Sequence, residues 1–159
     1  MSNPLRESLE SGDFVVTAEI TPPRGAELES LTATAKVLQP AVTAINLTDG
    51  AGARVRMSSL AASIHLKQMG VEPILQVTCR DRNRIAIQSD MLGAGAFGIS
   101  NVLVLGGDSV EAGDDPNAKG VFDFSSTELI SALHTMSNDA TTLSGVELSK
   151  APDFFPAAA

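Results

Sequence analysis

The chain has 159 residues, of which 43% are hydrophobic and 19% charged, and this composition suits a single globular domain spanning residues 1–159. Nineteen acidic against eleven basic residues give a net charge of −8, which disfavours nucleic acid and anionic membranes as partners. The longest apolar runs are far shorter than the ~20 residues that cross a bilayer. With one cysteine, two histidines and no apolar leader, we expect a cytoplasmic protein without a disulfide or a metal site.

The hydrophobic pattern alternates short β-branched runs with longer helical periodicities. Helices are predicted at residues 5–11, 28–38, 58–69, 84–92 and 126–136. Strands are predicted at residues 14–20, 42–47, 73–79 and 101–105, with a fifth at 153–159. Strands that are apolar almost throughout and are separated by helices indicate a parallel sheet covered by helices.

A doubly wound sheet and a (βα)8 barrel both fit this order of elements. Polar residues lie at or near the carboxyl ends of successive strands, where barrel enzymes hold their catalytic groups: Glu19, Thr48, Gln76, Thr78 and Asp108. We therefore predict an α/β protein of the (βα)8 TIM-barrel type, with about four βα units and the start of a fifth strand.

Residues 93–98, GAGAFG, match the G-x-G-x-x-G pattern of dinucleotide-binding folds. Pyrophosphate binding needs a strand before the glycines and a helix after them, whereas here a helix precedes and a strand follows. We interpret these glycines as the end of the helix and the turn into the next strand.

Glu19 is an acidic residue in an otherwise apolar strand, directly before a Thr-Pro-Pro turn. If it is half-buried there, its carboxyl could hold a proton at neutral pH and deliver it as a general acid. An ion pair with Arg24 is an equally good interpretation from the residues alone.

Gly106 and Gly107 end the fourth strand and would let a ligand approach the backbone closely, with the carboxylate of Asp108 beside it. An ordinary Gly-Gly turn with a helix-capping aspartate is the alternative. The polar loop at residues 109–122 has a length that is usually functional or disordered. Its acids are better explained as solvated side chains than as metal ligands, since no calcium-loop pattern is present.

Three arginines lie within residues 79–84, at the end of the third strand. They could meet an anionic cofactor or substrate, or form salt bridges with acids such as Asp81 and Asp90. Cys79 has no convincing base partner, because both histidines fall on predicted helices, and is best explained as a buried structural thiol.

Four motifs occur together in the order and at about the spacing seen in the methylenetetrahydrofolate reductase family: AEITPPR at 18–24, NLTDG at 46–50, QVTCRDRNR at 76–84 and LGGD at 105–108. The chain resembles that family from about residue 14 onward. The resemblance implies a barrel that binds FAD, which takes hydride from NADH or NADPH and reduces 5,10-methylenetetrahydrofolate to 5-methyltetrahydrofolate. Such an oxidoreductase serves one-carbon metabolism and methionine biosynthesis.

The resemblance also implies roles for individual residues. Glu19 matches the general acid that protonates the folate, and Asp108 matches the carboxylate that lies near the flavin and also contacts the pterin. Thr48 matches a flavin-contacting threonine, and Gly106 and Gly107 match the backbone segment against the flavin.

Other matches to the family are looser. Phe124 and Ser125 are similar to an aromatic–Ala pair that contacts FAD. Gln76 stands at the position of a flavin-contacting histidine, and Gly106 stands where many members have arginine. Both differences remove a possible cationic donor to the flavin.

A complete barrel typically needs about 250 residues. The resemblance therefore implies the N-terminal half of a flavin-binding barrel, with little or no activity on its own, whose missing C-terminal half or homo-oligomer would complete it. The alternatives are a half-barrel subunit that serves as an assembly or binding module, and a pterin-binding methyltransferase barrel. Folate is the expected small-molecule partner of the reductase.

Overall fold

The structure is a computed structural model of the chain and describes residues 2–159. The α-helices of that part are α1 (Pro4–Ser11), α2 (Glu29–Leu38), α3 (Ser59–Gln68), α4 (Arg84–Ala96) and α5 (Ser126–Asn138). The strands are β1 (Thr17–Ile20), β2 (Ala44–Leu47), β3 (Pro73–Thr78), β4 (Asn101–Leu105) and β5 (Phe155–Ala158). None of these helices is both long and apolar enough to span a bilayer.

The strands form one parallel sheet in the order β1-β2-β3-β4-β5, so that each strand pairs with the next in sequence. A doubly wound sheet reverses its strand order at a switch point, and no such reversal occurs between β1 and β5. The sequential order is that of a (βα)8 barrel and agrees with the predicted fold class.

Buried apolar side chains on one face of the sheet pack against the helices. Leu47, Leu75 and Val102 are register neighbours on β2, β3 and β4, and all three are buried. One core cluster joins β3 and β4 to α4 and α5, and a second joins β1 and β2 to α2 and α3. This apolar alternation is what places α2 to α5 on the same side of the sheet.

The opposite face, which we call the inner face, carries the polar strand residues. Glu19, Asn46 and Ile74 are register neighbours there, and Gln76 follows two residues later on β3. The Nε2 of Gln76 donates to the Oε2 of Glu19 at 3.0 Å, across the intervening strand β2. Contacts between alternate strands are how side chains form layers inside a closed barrel.

Helix α1 is held at the amino-terminal edge of the sheet by a polar network. Asn3 caps α1 by accepting from the N–H of Arg6 at 3.1 Å, and its side-chain amide donates to Asn101 at 2.8 Å. Asn101 in turn donates to the carboxylate of Glu72 at 2.8 Å. These bonds satisfy polar groups that are buried at the start of β4.

Two predicted elements had a bound that was wrong by three residues or more. The first strand begins at Thr17 rather than at residue 14, because Phe14 is 94% exposed and has no core to join. Helix α4 continues to Ala96, so Gly93 and Gly95 lie inside it and do not end it. A Cβ on Gly95 would lie 2.8 Å from the Cβ of Pro152, so a glycine lets the chain before β5 pack on the helix. The fifth predicted strand is present as β5.

A capping box begins α5 and makes part of the stability depend on pH. The N–H and the hydroxyl of Ser125 both donate to the carboxylate of Glu128 at 2.7 Å. These bonds, with the backbone N–H contributing most, hold the pKa of Glu128 below its usual 4.5. A carboxylate whose pKa falls on folding stabilises the protein above its unfolded pKa, and this contribution disappears as the pH drops through the folded value.

Glu128→Gln is expected to lower the free energy of unfolding near neutral pH, and the difference from the parent chain is expected to shrink as the pH falls below about 4.5. Urea unfolding at a series of pH values measures this difference. Glu29→Gln is the matched control, since it removes the same charge from the first turn of α2, which has no side-chain cap. A difference for Glu128→Gln that does not change with pH would contradict the prediction.

Candidate active site

The buried guanidinium of Arg80 joins the loops that follow β2, β3 and β4. Its Nη2 donates to the carbonyl of Gly50 at 3.2 Å, and its Nη1 donates to the carbonyl of Asp108 at 3.3 Å. Its Nε and Nη2 also bind the carboxylate of Asp81 at 2.6 and 2.7 Å. The bond to Asp81 raises the pKa of Arg80 above its usual value, so the guanidinium stays charged. One side chain thus fixes three loops at the carboxyl edge of the sheet.

Asp49 makes a second link between the ends of neighbouring strands. Its carboxylate accepts from the N–H of Thr78 at 2.9 Å and also contacts the guanidinium of Arg82. Both the carboxylate and the guanidinium are mostly buried. The carboxyl ends of β2 and β3 are therefore held together by a charged pair.

Each arginine of the run at residues 79–84 is paired with an acid, which confirms the salt-bridge interpretation of these residues. The pairs are Arg80 with Asp81, Arg82 with Asp49 and Asp90, and Arg84 with Asp123. The backbone N–H of Arg84, followed by its side chain, holds the pKa of Asp123 below its usual 3.8.

Gly107 is required by the packing of the protein itself. Its φ of +97° is strained for any residue with a side chain, and a Cβ there would lie 2.9 Å from the Cβ of Arg80 and 3.0 Å from the Oγ1 of Thr78. Gly106 differs, because the nearest atom to its Cβ position is the Oγ of Ser126 at 4.0 Å. The backbone of Gly106 therefore borders space that a ligand could use.

Asp108 is exposed and links the loop after β4 to the loop after β2. Its Oδ2 accepts from the N–H of Gly52 at 2.8 Å. The short helix Val110–Ala112 that follows has no side-chain cap, so the alternative of a capping aspartate was wrong. The carboxylate lies at the open carboxyl edge and not in a core.

Thr48 presents a buried hydroxyl with no partner. The residue is 4% exposed, and its Oγ1 makes no hydrogen bond with any of residues 2–159. Its backbone N–H donates to the carbonyl of Ile20 at 3.2 Å, which fixes the residue at the end of β2. A buried hydroxyl without a partner is costly, and a ligand atom that bonds to it would remove that cost.

Glu19 is exposed, so the expected half-burial was wrong. The reason is that β1 is an outer strand of the sheet, with only β2 beside it. The ion pair with Arg24 was also wrong, because Arg24 pairs with Asp114 at 3.1 Å. Instead, the carboxyl of Glu19 is held by Gln76, which is 5% exposed. The acid is accessible and oriented by an amide.

The long loop at residues 109–122 is tied to its neighbours. Asp114 accepts from the N–H of Val55 at 2.9 Å, and Val121 donates to the carbonyl of Arg80 at 2.7 Å. The N–H of Val55, with Arg24 as a further cause, lowers the pKa of Asp114 from its usual 3.8. The loop therefore forms a defined wall beside the carboxyl edge.

Phe124 and Ser125 lie at the start of α5 with their side chains engaged in the protein. The ring of Phe124 is 4% exposed, and the Arg84 guanidinium lies 4.9 Å from its centroid. The hydroxyl of Ser125 belongs to the capping box. The next residue, Ser126, borders the Gly106 backbone, so this segment reaches the same edge of the sheet.

Cys79 is buried, at 1% exposure, and desolvation raises the pKa of its thiol above 9.0. A thiol that is hard to ionise is a weak nucleophile, which supports a structural role. The histidines His65 and His134 lie on α3 and α5, as predicted.

Arg80 and Asp49 organise this edge; sequence reasoning predicted a salt bridge for Arg80 but not its bonds to two other loops, and it assigned no role to Asp49. Both follow the ends of apolar strands within a few residues, on loops that a parallel sheet brings together. Opposite charges at equivalent positions after neighbouring strands are the pattern that could have identified them.

Comparison with known protein families agrees with the fold and with the polar carboxyl edge described above. The family model described as methylenetetrahydrofolate reductase matches residues 4–149, nearly the whole chain. The chain belongs to the methylenetetrahydrofolate reductase family. The resemblance of the four motifs is confirmed, and membership supports an oxidoreductase of that type with a folate substrate. No curated protein matches the chain.

Gly107→Ala is expected to lower the free energy of unfolding by at least about 1–2 kcal/mol, because the positive φ and the contact with Arg80 both oppose a Cβ. Gly106→Ala is the matched control and should change it by less than about 0.5 kcal/mol. Chemical denaturation of both variants measures the difference. Equal losses for the two variants would contradict the role given to Gly107.

Proposed function

We propose that the chain supplies the flavin- and folate-binding edge of a reductase that converts 5,10-methylenetetrahydrofolate to 5-methyltetrahydrofolate with FAD and NADH or NADPH. The proposal rests on the positions of Glu19, Thr48 and Asp108, together with the membership of the chain in the methylenetetrahydrofolate reductase family. An accessible acid held by an amide lies on the inner face, and an unpartnered buried hydroxyl and an exposed carboxylate lie at the carboxyl edge. Family membership favours this reductase over a pterin-binding methyltransferase.

The residues at the carboxyl edge fit a bound flavin. The Oγ1 of Thr48 is buried without a partner, and the Gly106 backbone borders open space. Thr48, Gln76 and the backbone of Gly106 and Gly107 would hold the cofactor. When bound, FAD carries hydride from the reduced pyridine nucleotide to the folate. The segment at Phe124 would contribute backbone atoms only, because its side chains are engaged elsewhere.

Glu19 is proposed as the general acid. Gln76 holds the Oε2 of Glu19, while the Oε1 has no hydrogen-bond partner among residues 2–159. An oriented carboxyl with one free oxygen can hold a proton and pass it to a nitrogen of the folate. Protonation there opens the bridging ring to an iminium carbon, which is the group that accepts hydride.

Asp108 is proposed to act on both the flavin and the folate. The N–H of Gly52 fixes one of its carboxylate oxygens. A carboxylate accepts hydrogen bonds from N–H groups, of which a pterin presents several at its edge. Its negative charge would also disfavour a gain of negative charge on a neighbouring ring, which tunes hydride transfer.

The inner face supports the proposal that further βα units complete a barrel around this sheet. Among residues 2–159, β1 and β5 each pair along one edge only, and Leu103 on the inner face is partly exposed. Free strand edges are sites of aggregation unless another strand covers them. A further segment of the protein or a second copy of the chain would close the structure.

The 159-residue chain is expected to self-associate and not to sediment as a compact monomer. Sedimentation velocity measures this, with a defined dimer indicating completion by a second copy. Leu103→Asp on the inner face should reduce association, whereas Val37→Asp on the exposed side of α2 should leave it unchanged. Circular dichroism checks that both variants fold, and a compact monomer of the parent chain would overturn the proposal.

Glu19→Gln in the flavin-loaded reductase is expected to lower folate reduction by about 10²-fold or more, because general acid catalysis is lost. Oxidation of the pyridine nucleotide with a quinone acceptor should be unchanged, since it needs no proton on the folate. Glu27→Gln, an exposed acid in the loop after β1, is the matched control. Undiminished folate reduction alongside intact quinone turnover would exclude Glu19 as the acid.

A further inference from the structure

A cleft of about 290 Å³ opens beside the loops after β2 and β3. Four arginines line it: Arg54, Arg56, Arg80 and Arg82. Only three aspartates accompany them, so the lining is net positive in a chain whose net charge is −8. This concentration of cations is unusual for a surface that is acidic elsewhere, and we call it the arginine cleft.

The acids of the arginine cleft neutralise only part of this charge. Asp81 binds Arg80 and Asp49 binds Arg82, as described for the carboxyl edge. The third acid, Asp115, accepts from the backbone N–H of Asn117 at 3.2 Å. Arg54 and Arg56 form no ion pair within the part of the chain that the structure describes, although the charge of Arg54 also acts on Asp114, the partner of Arg24.

Of Arg54 and Arg56, Arg56 is better placed to bind an anionic ligand. It is partly buried, and its Nη1 donates to the carbonyl of Pro22 at 3.3 Å, which holds the guanidinium in place. Its Nε is buried with no acceptor among residues 2–159, and the same holds for the Nε of Arg82. Both guanidinium groups therefore keep hydrogen-bonding capacity that the described residues do not use, and both residues line one cleft that is open to an anion from outside the protein.

The start of α3 adds to the same electrostatic field. Ser58, which caps α3, lines the arginine cleft, and its hydroxyl accepts from the N–H of Ala61 at 3.2 Å. The amino end of a helix carries a partial positive charge and presents free N–H groups to anions. The helix end supports the arginines and does not define the site by itself.

We propose that the arginine cleft binds an anionic oxygen group, held mainly by the fork of Arg56 with support from Arg54. Guanidinium groups bind phosphate and carboxylate oxygens in the same bidentate way. Two molecules could carry the anion: a dinucleotide through its diphosphate, or a folate through its glutamate carboxylates. The anion site follows from the cleft alone, and only the identity of the carrier rests on the proposed function.

Calorimetric titration of the chain, in the assembly that it forms, with pyrophosphate and separately with triglutamate tests the site. Binding of pyrophosphate alone supports the dinucleotide, and binding of triglutamate alone supports the folate. Binding of both supports a general anion site. Arg56→Gln should weaken binding by at least about tenfold and Arg54→Gln by less, whereas Arg6→Gln should have no effect. Arg6 is the matched control because it pairs with Glu10 and Asp153 on another surface.

Arg56→Lys keeps the charge but loses the fork, and should bind with intermediate affinity. This variant also serves if Arg56→Gln does not fold, as judged by circular dichroism. The proposal is overturned if neither probe binds at millimolar concentration, or if the Arg56 variants bind as the parent does. None of these titrations involves Glu19 or flavin, so their failure is distinct from failure of the proposed reductase activity.

Discussion

The carboxyl edge of the sheet depends on the buried guanidinium of Arg80. Three loops meet there, and among residues 2–159 Arg80 is the one side chain that bonds to the backbone of the two loops on either side of its own. Arg80 donates to the carbonyls of Gly50 and Asp108, which lie on two other loops, and to the carboxylate of Asp81 on its own loop. Gly107 can lie against it only because it has no Cβ. Lysine could not replace it, since the three donors of an ammonium share one nitrogen, whereas Arg80 uses three separate nitrogens to reach its partners.

This fixed edge gives the exposed groups their positions. Asp108 lies on a loop whose carbonyl Arg80 holds, and its carboxylate then reaches the backbone of Gly52 on the next loop. Thr48 lies at the end of β2, where its hydroxyl is buried but unused. Most hydrogen bonds at this edge therefore hold the loops in place, whereas the hydroxyl of Thr48 has no partner among residues 2–159. Such a division between a satisfied frame and unsatisfied groups is typical of a binding site prepared for its ligand.

Much of this could be predicted from the sequence, for reasons that are local. The apolar strands and the glycines after β4 are recognisable because each depends on residues adjacent in the chain. The burial of Glu19 and the length of α4 could not be predicted, since they depend on distant residues. Glu19 is exposed because β1 has a single neighbour, and α4 continues through its glycines, of which Gly95 leaves room for the distant Pro152. The partners of the arginines depend in the same way on which loops the sheet brings together.

The arginines show how one residue type serves two purposes in this protein. Those that follow β3 are paired with acids and act as structural ties, which accounts for the acids near them. Arg56 lies on the neighbouring loop with a carbonyl and no acid as its partner. A cation held in place by a neutral group is oriented and still attracts an anion, whereas the attraction of a paired cation for an anion is largely cancelled by its partner. The difference between a structural arginine and a ligand-binding one is therefore the absence of a counter-charge, and that property depends on the fold rather than on the residue.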